Sequence, residues 1–247
     1  VAMDVTDSGS ISAALDEVQA RFGGVATIVV NNAGITIPKP LLDLGDDDWS
    51  KVVDTNLNGV AYVTREAARR MIDSGTGGSI VNIASILAVR DQKLLTNYAA
   101  AKAGVVQFSK TAALELAQYG IRVNALCPGY FNTEMNRAWF ETEAGKVMAA
   151  RIPQQRIGEL VELNGPLLLL ASDAGSLMPG ASVVVDGGHV VSDLLTLWQC
   201  AVDQQHRIDN RERIMEALSG KTAVIVGASG EKNFGSVIAR RLAQEGV

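Results

Sequence analysis

Two cysteines, two histidines and six prolines in 247 residues set aside several kinds of protein at once. Cys127 and Cys200 lack metal-ligand spacing, and Cys127 closes an apolar run beside Pro128, so a buried free thiol is expected there rather than a disulfide or a nucleophile. His189 and His206 belong to no cluster of histidine, cysteine and carboxylate, and no catalytic metal is expected. The 22 lysines and arginines form no block against 27 acidic residues, and a net charge of -5 gives no electrostatic basis for binding nucleic acid or an anionic membrane. No apolar run approaches the ~20 residues needed to cross a bilayer, and the first residues have neither the basic start nor the apolar core of a secretory signal. A soluble, cytoplasmic protein is expected. What is plentiful is apolar side chain, 47% of the total, which suffices for one substantial α/β core with a small appendage.

The hydrophobic pattern alternates between continuous apolar runs and amphipathic stretches. Residues 1–5 read as a strand already in progress. A helix follows, with Ile11, Leu15, Val18 and Phe22 on one face, stopped by Gly23 and Gly24. Next come a strand over 25–30, one long helix over about 47–73, a strand over 79–84, a helix from about Tyr98 to Tyr119 and a strand over 121–126. A variable segment over 130–157, a helix over 159–171 and a strand over 181–185 complete this part, and Asp186-Gly187-Gly188 ends it as a structural turn. Such alternation implies a parallel sheet covered on both faces.

The chemistry concentrates around Ser85, Tyr98 and Lys102. Tyrosine and lysine four apart lie one helical turn from each other and face the same space. An ammonium within a few ångströms of a phenol favours the phenolate, which draws the tyrosine towards a range where proton transfer is useful. Ser85 ends the run 79–84, where strand gives way to loop, a usual place for catalytic groups in open parallel sheets. Tyrosine and lysine at this spacing also occur on ordinary solvated helix faces, so the surrounding residues decide the reading.

Those surroundings are Asn31-Asn32-Ala33-Gly34, Asn56 within 54–59, the step from Ser85 to Tyr98, and Pro128-Gly129 followed by Thr133. Together they make residues 1 to about 193 resemble the short-chain dehydrogenase/reductases, NAD(P)-dependent oxidoreductases, and the resemblance implies an α/β fold with a Rossmann-type doubly wound parallel sheet in a three-layer α/β/α arrangement. The resemblance implies that Tyr98 exchanges a proton with the substrate oxygen, that Ser85 holds that oxygen, and that Lys102 tunes the tyrosine and binds the ribose. Asn56 would order a water linking Lys102 to solvent, or serve as a helix-kinking packing residue. Asp4 would lie at the adenine with the Val5 backbone beside it. Asn31, Ala33 and Gly34 would lie against the cofactor and brace the sheet, with Pro128 and Gly129 beside it, and Thr133 would bind the nicotinamide carboxamide. The resemblance also implies a homodimer or homotetramer paired through the long helices after Asp47 and around Tyr98.

In that family the glycine-rich strand, turn and helix come first, whereas here they come last, over 220–247. Gly227, Ser229, Gly230, Phe234 and Gly235 are the candidate pyrophosphate-binding residues, with Asn233 where the middle glycine would align and two extra residues in the turn. The insertion resembles the enoyl reductase branch, but the four-residue step from Tyr98 to Lys102 does not. A second strand and helix have no counterpart, so the fold is expected to be permuted or incomplete. The domains expected are a catalytic core over 1–193, a linker over 194–219 and a nucleotide-binding unit over 220–247. NAD or NADP is the expected cofactor, with Lys232 either near a 2′-phosphate or merely solvated. The small-molecule substrate is a ketone or secondary alcohol, first a 3-oxoacyl thioester and second a polyol or sugar acid. Specificity is expected from Arg90, Leu94 and the segment 130–157, with Arg151 and Arg156 as candidate anchors. The alternatives are a silent fragment or a nucleotide-binding module.

Overall fold

The computed structural model describes residues 1–134, 137–192 and 223–227, together with the single positions 235, 240 and 243. In these residues the order is α1 (Ser8–Phe22), β1 (Ile28–Asn31), α2 (Asp46–Val53), α3 (Gly59–Ser74), β2 (Gly78–Ile83), α4 (Thr96–Leu116) and β3 (Ile121–Pro128). After these come α5 (Arg137–Phe140), α6 (Glu143–Ala150), α7 (Asn164–Ala171), β4 (Ser182–Val185) and β5 (Ala223–Val226). The strands form one sheet in the order β4-β3-β2-β1-β5, and every neighbouring pair is parallel. Parallel neighbours require crossovers, which is why helices occupy both faces.

The two faces can be followed through alternate strand residues. Val29, Ile80 and Val123 point to one side, where they pack with Ile11, Leu15, Val63, Ala67 and Met71 from α1 and α3. Ile28, Val30, Val81, Ile83 and Leu126 point to the other, against Leu167, Leu168 and Leu170 of α7. Period-2 alternation with both faces apolar explains why the strands read as unbroken hydrophobic runs. α1 begins where the Asp7 carboxylate accepts the Gly9 and Ser10 N–H groups and stops at Gly23, whose φ of 75° suits glycine.

Two expectations are corrected. Residues 1–5 form no strand, because no described strand runs beside them to complete a ladder. They run as extended coil instead, with Val5 buried against α3 at Gly59, where a Cβ would lie 2.7 Å from the Val5 side chain. The long helix over 47–73 is interrupted by a wide π turn over Asp54–Asn58. Its cause is local: the Asn56 side chain donates to the Val52 carbonyl at 2.8 Å, competing with the backbone for that acceptor.

The late strand returns to a place beside β1. Ile28 pairs with Ala223 and Asn31 with Val226, and the Asn32 Nδ2 donates to the Gly227 carbonyl at 3.0 Å. Gly227 has φ 88°, and a Cβ there would stand 2.5 Å from the Ala33 nitrogen and Cα. A side chain would meet rigid backbone as well as roughly 1–3 kcal/mol of conformational strain. We expect Gly227→Val to undock β5 and weaken NADPH binding more than about tenfold, since 1.4 kcal/mol is a tenfold change, while α1, α3 and α4 remain folded. Fluorescence titration and far-ultraviolet dichroism check this; unchanged affinity would mean that the cofactor does not require this docking.

Candidate active site

Ser85 and the helix carrying Tyr98 meet at the carboxyl ends of the strands. Two residues beyond β2, the Ser85 Oγ accepts the Leu87 N–H at 3.1 Å and starts a short 3-10 turn over Ile86–Ala88. Tyr98 stands in the first turn of α4, with its backbone N–H donated to the buried Asn97 Oδ1 at 2.8 Å. Its half-buried phenol lies near enough to the Ser85 hydroxyl for the serine to act on its pKa. Lys102, one turn along, is only 3% exposed; its Nζ donates to the Ile83 carbonyl at 2.7 Å and lies 5.5 Å from the centre of the Tyr98 ring. The three expected side chains are therefore brought together.

Their electrostatics differ from the expectation. Burial raises the Tyr98 pKa above its ordinary value, and the Ser85 hydroxyl only partly opposes it. Burial also lowers the Lys102 pKa from 10.5 to about 8, opposed by the Cys127 thiol. The phenol is thus held protonated, and the ammonium is the group whose charge is precarious. That state suits a proton donor to a carbonyl oxygen. Cys127 is a buried free thiol pushed up to about 11, chiefly by burial, consistent with an inert core residue.

Asn56 is fully buried and its amide is committed to backbone. Its Nδ2 donates to Ile35 O at 2.9 Å and to Val52 O, while its Oδ1 accepts from Ile35 N at 3.2 Å. It pins the loop after β1 to the π turn, the helix-kinking packing role expected as the alternative to ordering a water. Gly34 belongs to that loop, and a Cβ there would stand 2.6 Å from Asn56 Oδ1 and 3.6 Å from Lys102 Nζ. Asn31 serves the sheet. Its Nδ2 donates to Thr64 Oγ1 at 3.1 Å and Asn82 Oδ1 at 2.8 Å, while Asn82 Nδ2 donates to Ser109 Oγ at 2.9 Å. This chain crosses from α3 through β1 and β2 to α4. Asn82 and Ser109 were not expected to matter, and only the polarity of two positions within apolar runs marks them in sequence.

Among the other expected cofactor residues, Asp4 is exposed, and its carboxylate accepts from the Thr6 hydroxyl at 2.7 Å and the Thr6 N–H at 2.9 Å; these bonds lower its pKa. Val5, Asn31, Ala33, Thr55, Gly59 and Val60 line a small crevice beside β1. Pro128 ends β3, and Gly129, whose Cβ would stand 2.7 Å from the Asp186 Cβ, donates its N–H to Val185 O at 2.9 Å. Thr133 is half-buried four residues later. Ser229, Gly230, Phe234, Lys232 and the linker 194–219 lie outside the described residues, whereas Gly235 is helical and buried. The described part fits a dinucleotide: glycines stand at both strand ends, Gly227 and Gly34, where a Cβ would collide, and the buried Lys102 ammonium lies beside Gly34. No group of three or more His, Cys, Asp or Glu able to hold a metal occurs among the described residues.

The expected specificity elements divide. Arg156 is no anchor: its guanidinium makes a two-pronged pair with Glu162, both contacts at 2.7 Å. Arg90 Nη1 donates to His189 O at 2.6 Å, and Leu94 holds φ 72°, where its carbonyl accepts the Lys39 N–H at 3.0 Å. Gln92, overlooked in the sequence, accepts a hydrogen bond from the Tyr130 hydroxyl.

Residues 1–190 match the family profile described as Enoyl-(Acyl carrier protein) reductase. The chain is 38% identical to the 3-oxoacyl-acyl-carrier-protein reductase FabG of Salmonella typhimurium, over 75% of each chain. It is 42% identical to the cis-4-hydroxycyclohexanecarboxylate dehydrogenase of Sinomonas cyclohexanicum, over 76% of this chain and 75% of that one. Among solved structures, gluconate 5-dehydrogenase from Burkholderia cenocepacia in complex with NADP and tartrate shares 38% identity with a TM-score of 0.73, over 77% of this chain and 74% of that one. With the serine, tyrosine and lysine gathered at the end of a Rossmann-type sheet, these likenesses establish that the chain belongs to the short-chain dehydrogenase/reductase family of NAD(P)-dependent oxidoreductases.

Proposed function

We propose that the protein interconverts a ketone and a secondary alcohol on a carboxylic acid or its thioester, with Tyr98 as the proton donor and acceptor. The observation that carries this reading is the phenol beside Ser85 with the buried Lys102 ammonium one turn along, 5.5 Å from its ring. In the reductive direction, the hydride for the carbonyl carbon would come from a nicotinamide cofactor, with Lys102 as the residue that would hold its ribose. Tyr98 gives its proton to the carbonyl oxygen, Ser85 donates a hydrogen bond to that oxygen, and Lys102 offers positive charge to the phenolate left behind. Asn56 and Gly34 act by position, holding open the space above Lys102. The relatives named above act on acyl thioesters and on hydroxylated or cyclic acids, which supports a substrate with a carboxyl-level group near the ketone.

The organisation proposed is a core over 1–193 that shares its sheet with the unit over 220–247 through β5. We place the protein in the cytoplasm as a homodimer or homotetramer; among the described residues no helix is long and apolar enough to cross a membrane. Pairing through the long helices is supported by the exposed Trp49 of α2 and Leu114 of α4.

A panel of 3-oxoacyl thioesters and keto acids, offered with NADH and NADPH and followed at 340 nm, tests the activity. Turnover with at least one ketone is expected. Cofactor binding without turnover on any of them would make the chain a nucleotide-binding module, and absence of both would make it catalytically silent.

A further inference from the structure

Three segments leave the carboxyl ends of β2, β3 and β4, and polar side chains stitch them together. The first is the loop between Ser85 and Tyr98, which carries Arg90 and Gln92. The second begins at Tyr130, directly after Pro128-Gly129. The third is the turn 186–192. The Tyr130 hydroxyl donates to Gln92 Oε1, and Arg90 Nη1 donates to His189 O at 2.6 Å and to Ser192 Oγ at 3.5 Å. The Tyr130 ring lies 5.6 Å from the His189 ring and meets Phe140 edge-on at 5.8 Å. His189 is 3% exposed, and its Nδ1 has no hydrogen-bond partner.

The wall these residues form is rich in donors. Gln92 spends its carbonyl oxygen on Tyr130, which fixes the amide's orientation and leaves Nε2 with no hydrogen bond among the described residues. The Arg90 guanidinium, two residues earlier in the same loop and held by His189 O and Ser192 Oγ, is close enough to act on the Tyr130 phenol. A carboxamide N–H pair and a guanidinium cost free energy when an aliphatic acyl chain covers them, and are satisfied by hydroxyl or carboxylate oxygens. Position is the second argument. Ser85 follows β2 and Tyr130 follows its paired neighbour β3, so the Gln92–Tyr130 pair stands at the same carboxyl edge of the sheet as Ser85.

We infer that Gln92, oriented by the Tyr130 hydroxyl, is a specificity-determining residue that selects hydroxylated carboxylic acids over acyl thioesters. The inference rests on the ketone–alcohol reading above and narrows its substrate class. Gln92 contacts the substrate; Tyr130 is a positioning residue that keeps the amide from turning its oxygen inward.

The test compares wild type, Gln92→Leu and Tyr130→Phe on 5-ketogluconate and on acetoacetyl-CoA, with calorimetric titration of gluconate into the NADP-saturated protein. The expected result for Gln92→Leu is a rise in KM and a loss of about 10- to 100-fold in kcat/KM for the keto acid, with acetoacetyl-CoA unchanged or better. Tyr130→Phe should show a smaller loss of the same selectivity. A Gln92→Glu variant should lose the carboxylate substrate further, because like charges then face each other, an effect that a purely structural role would not produce. Equal losses on both substrates, or none on the keto acid, would overturn the inference. Should wild type reduce neither ketone, gluconate binding that disappears in Gln92→Leu would uphold the selective site while the ketone–alcohol reading falls; absence of gluconate binding as well would remove both.

Discussion

Tyr98→Phe should lower turnover by roughly two to four orders of magnitude, the range typical of a removed general acid, and leave NADPH affinity unaltered. The substitution deletes one oxygen. The ring keeps its place 5.5 Å from Lys102, and Ser85 keeps its own bond to the Leu87 N–H. Nothing is left unpaired except the face of Ser85 that met the phenol, so the fold should tolerate the change. Steady-state kinetics beside a fluorescence titration separates the two effects. A variant that retained more than about a tenth of wild-type turnover would show that the proton comes from another group, because losing a general acid costs at least ~100-fold.

A second large effect concerns Lys102 and runs in opposite directions for activity and stability. Its folded pKa of about 8 lies below the ordinary 10.5, so the folded protein binds this proton more weakly than the unfolded chain does. The cost of the buried charge is fully present below pH 8 and disappears as pH rises from 8 towards 10.5. Each pKa unit is 1.36 kcal/mol, which puts that cost near 3 kcal/mol. Lys102→Met, similar in length and uncharged, is expected to abolish turnover yet to melt higher than wild type at pH 7, with the gap closing towards pH 10. In wild type, kcat/KM for reduction should fall as pH passes 8, because that parameter follows the free protein and the ammonium is then lost. Melting curves and rate profiles between pH 6 and 10 check both statements. A Met variant less stable than wild type at pH 7 would mean that the bond to Ile83 O outweighs the burial of the charge.

Much of this architecture was legible because its signals are local and periodic. Unbroken apolar runs mark β1 to β4, Gly23 marks the end of α1, and the spacing from Ser85 to Tyr98 to Lys102 announces that these three side chains lie together. Less was legible where a partner decides the outcome. Residues 1–5 have the composition of a strand, but a strand exists only through its ladder, and no neighbour is present among the described residues. The π turn arises where the Asn56 amide takes the Val52 carbonyl from the helix, a side-chain choice that no periodicity announces. The direction of the Tyr98 shift was misjudged for a similar reason. Proximity to an ammonium suggests an acidic phenol, whereas burial of both groups acts more strongly and in the opposite sense. Arg156 was read as available because its partner, Glu162, lies outside any short motif.

On the proposed reading, the four-residue register that holds β5 to β1 would set an energetic toll on ligand capture. Apparent affinity equals intrinsic affinity multiplied by the fraction of molecules in the competent arrangement, so each tenfold drop in that fraction weakens the measured constant tenfold. By linkage, dinucleotide at 100 times its dissociation constant returns about 2.7 kcal/mol to the same arrangement. Coenzyme capture and completion of the sheet edge would then be one equilibrium observed from two sides.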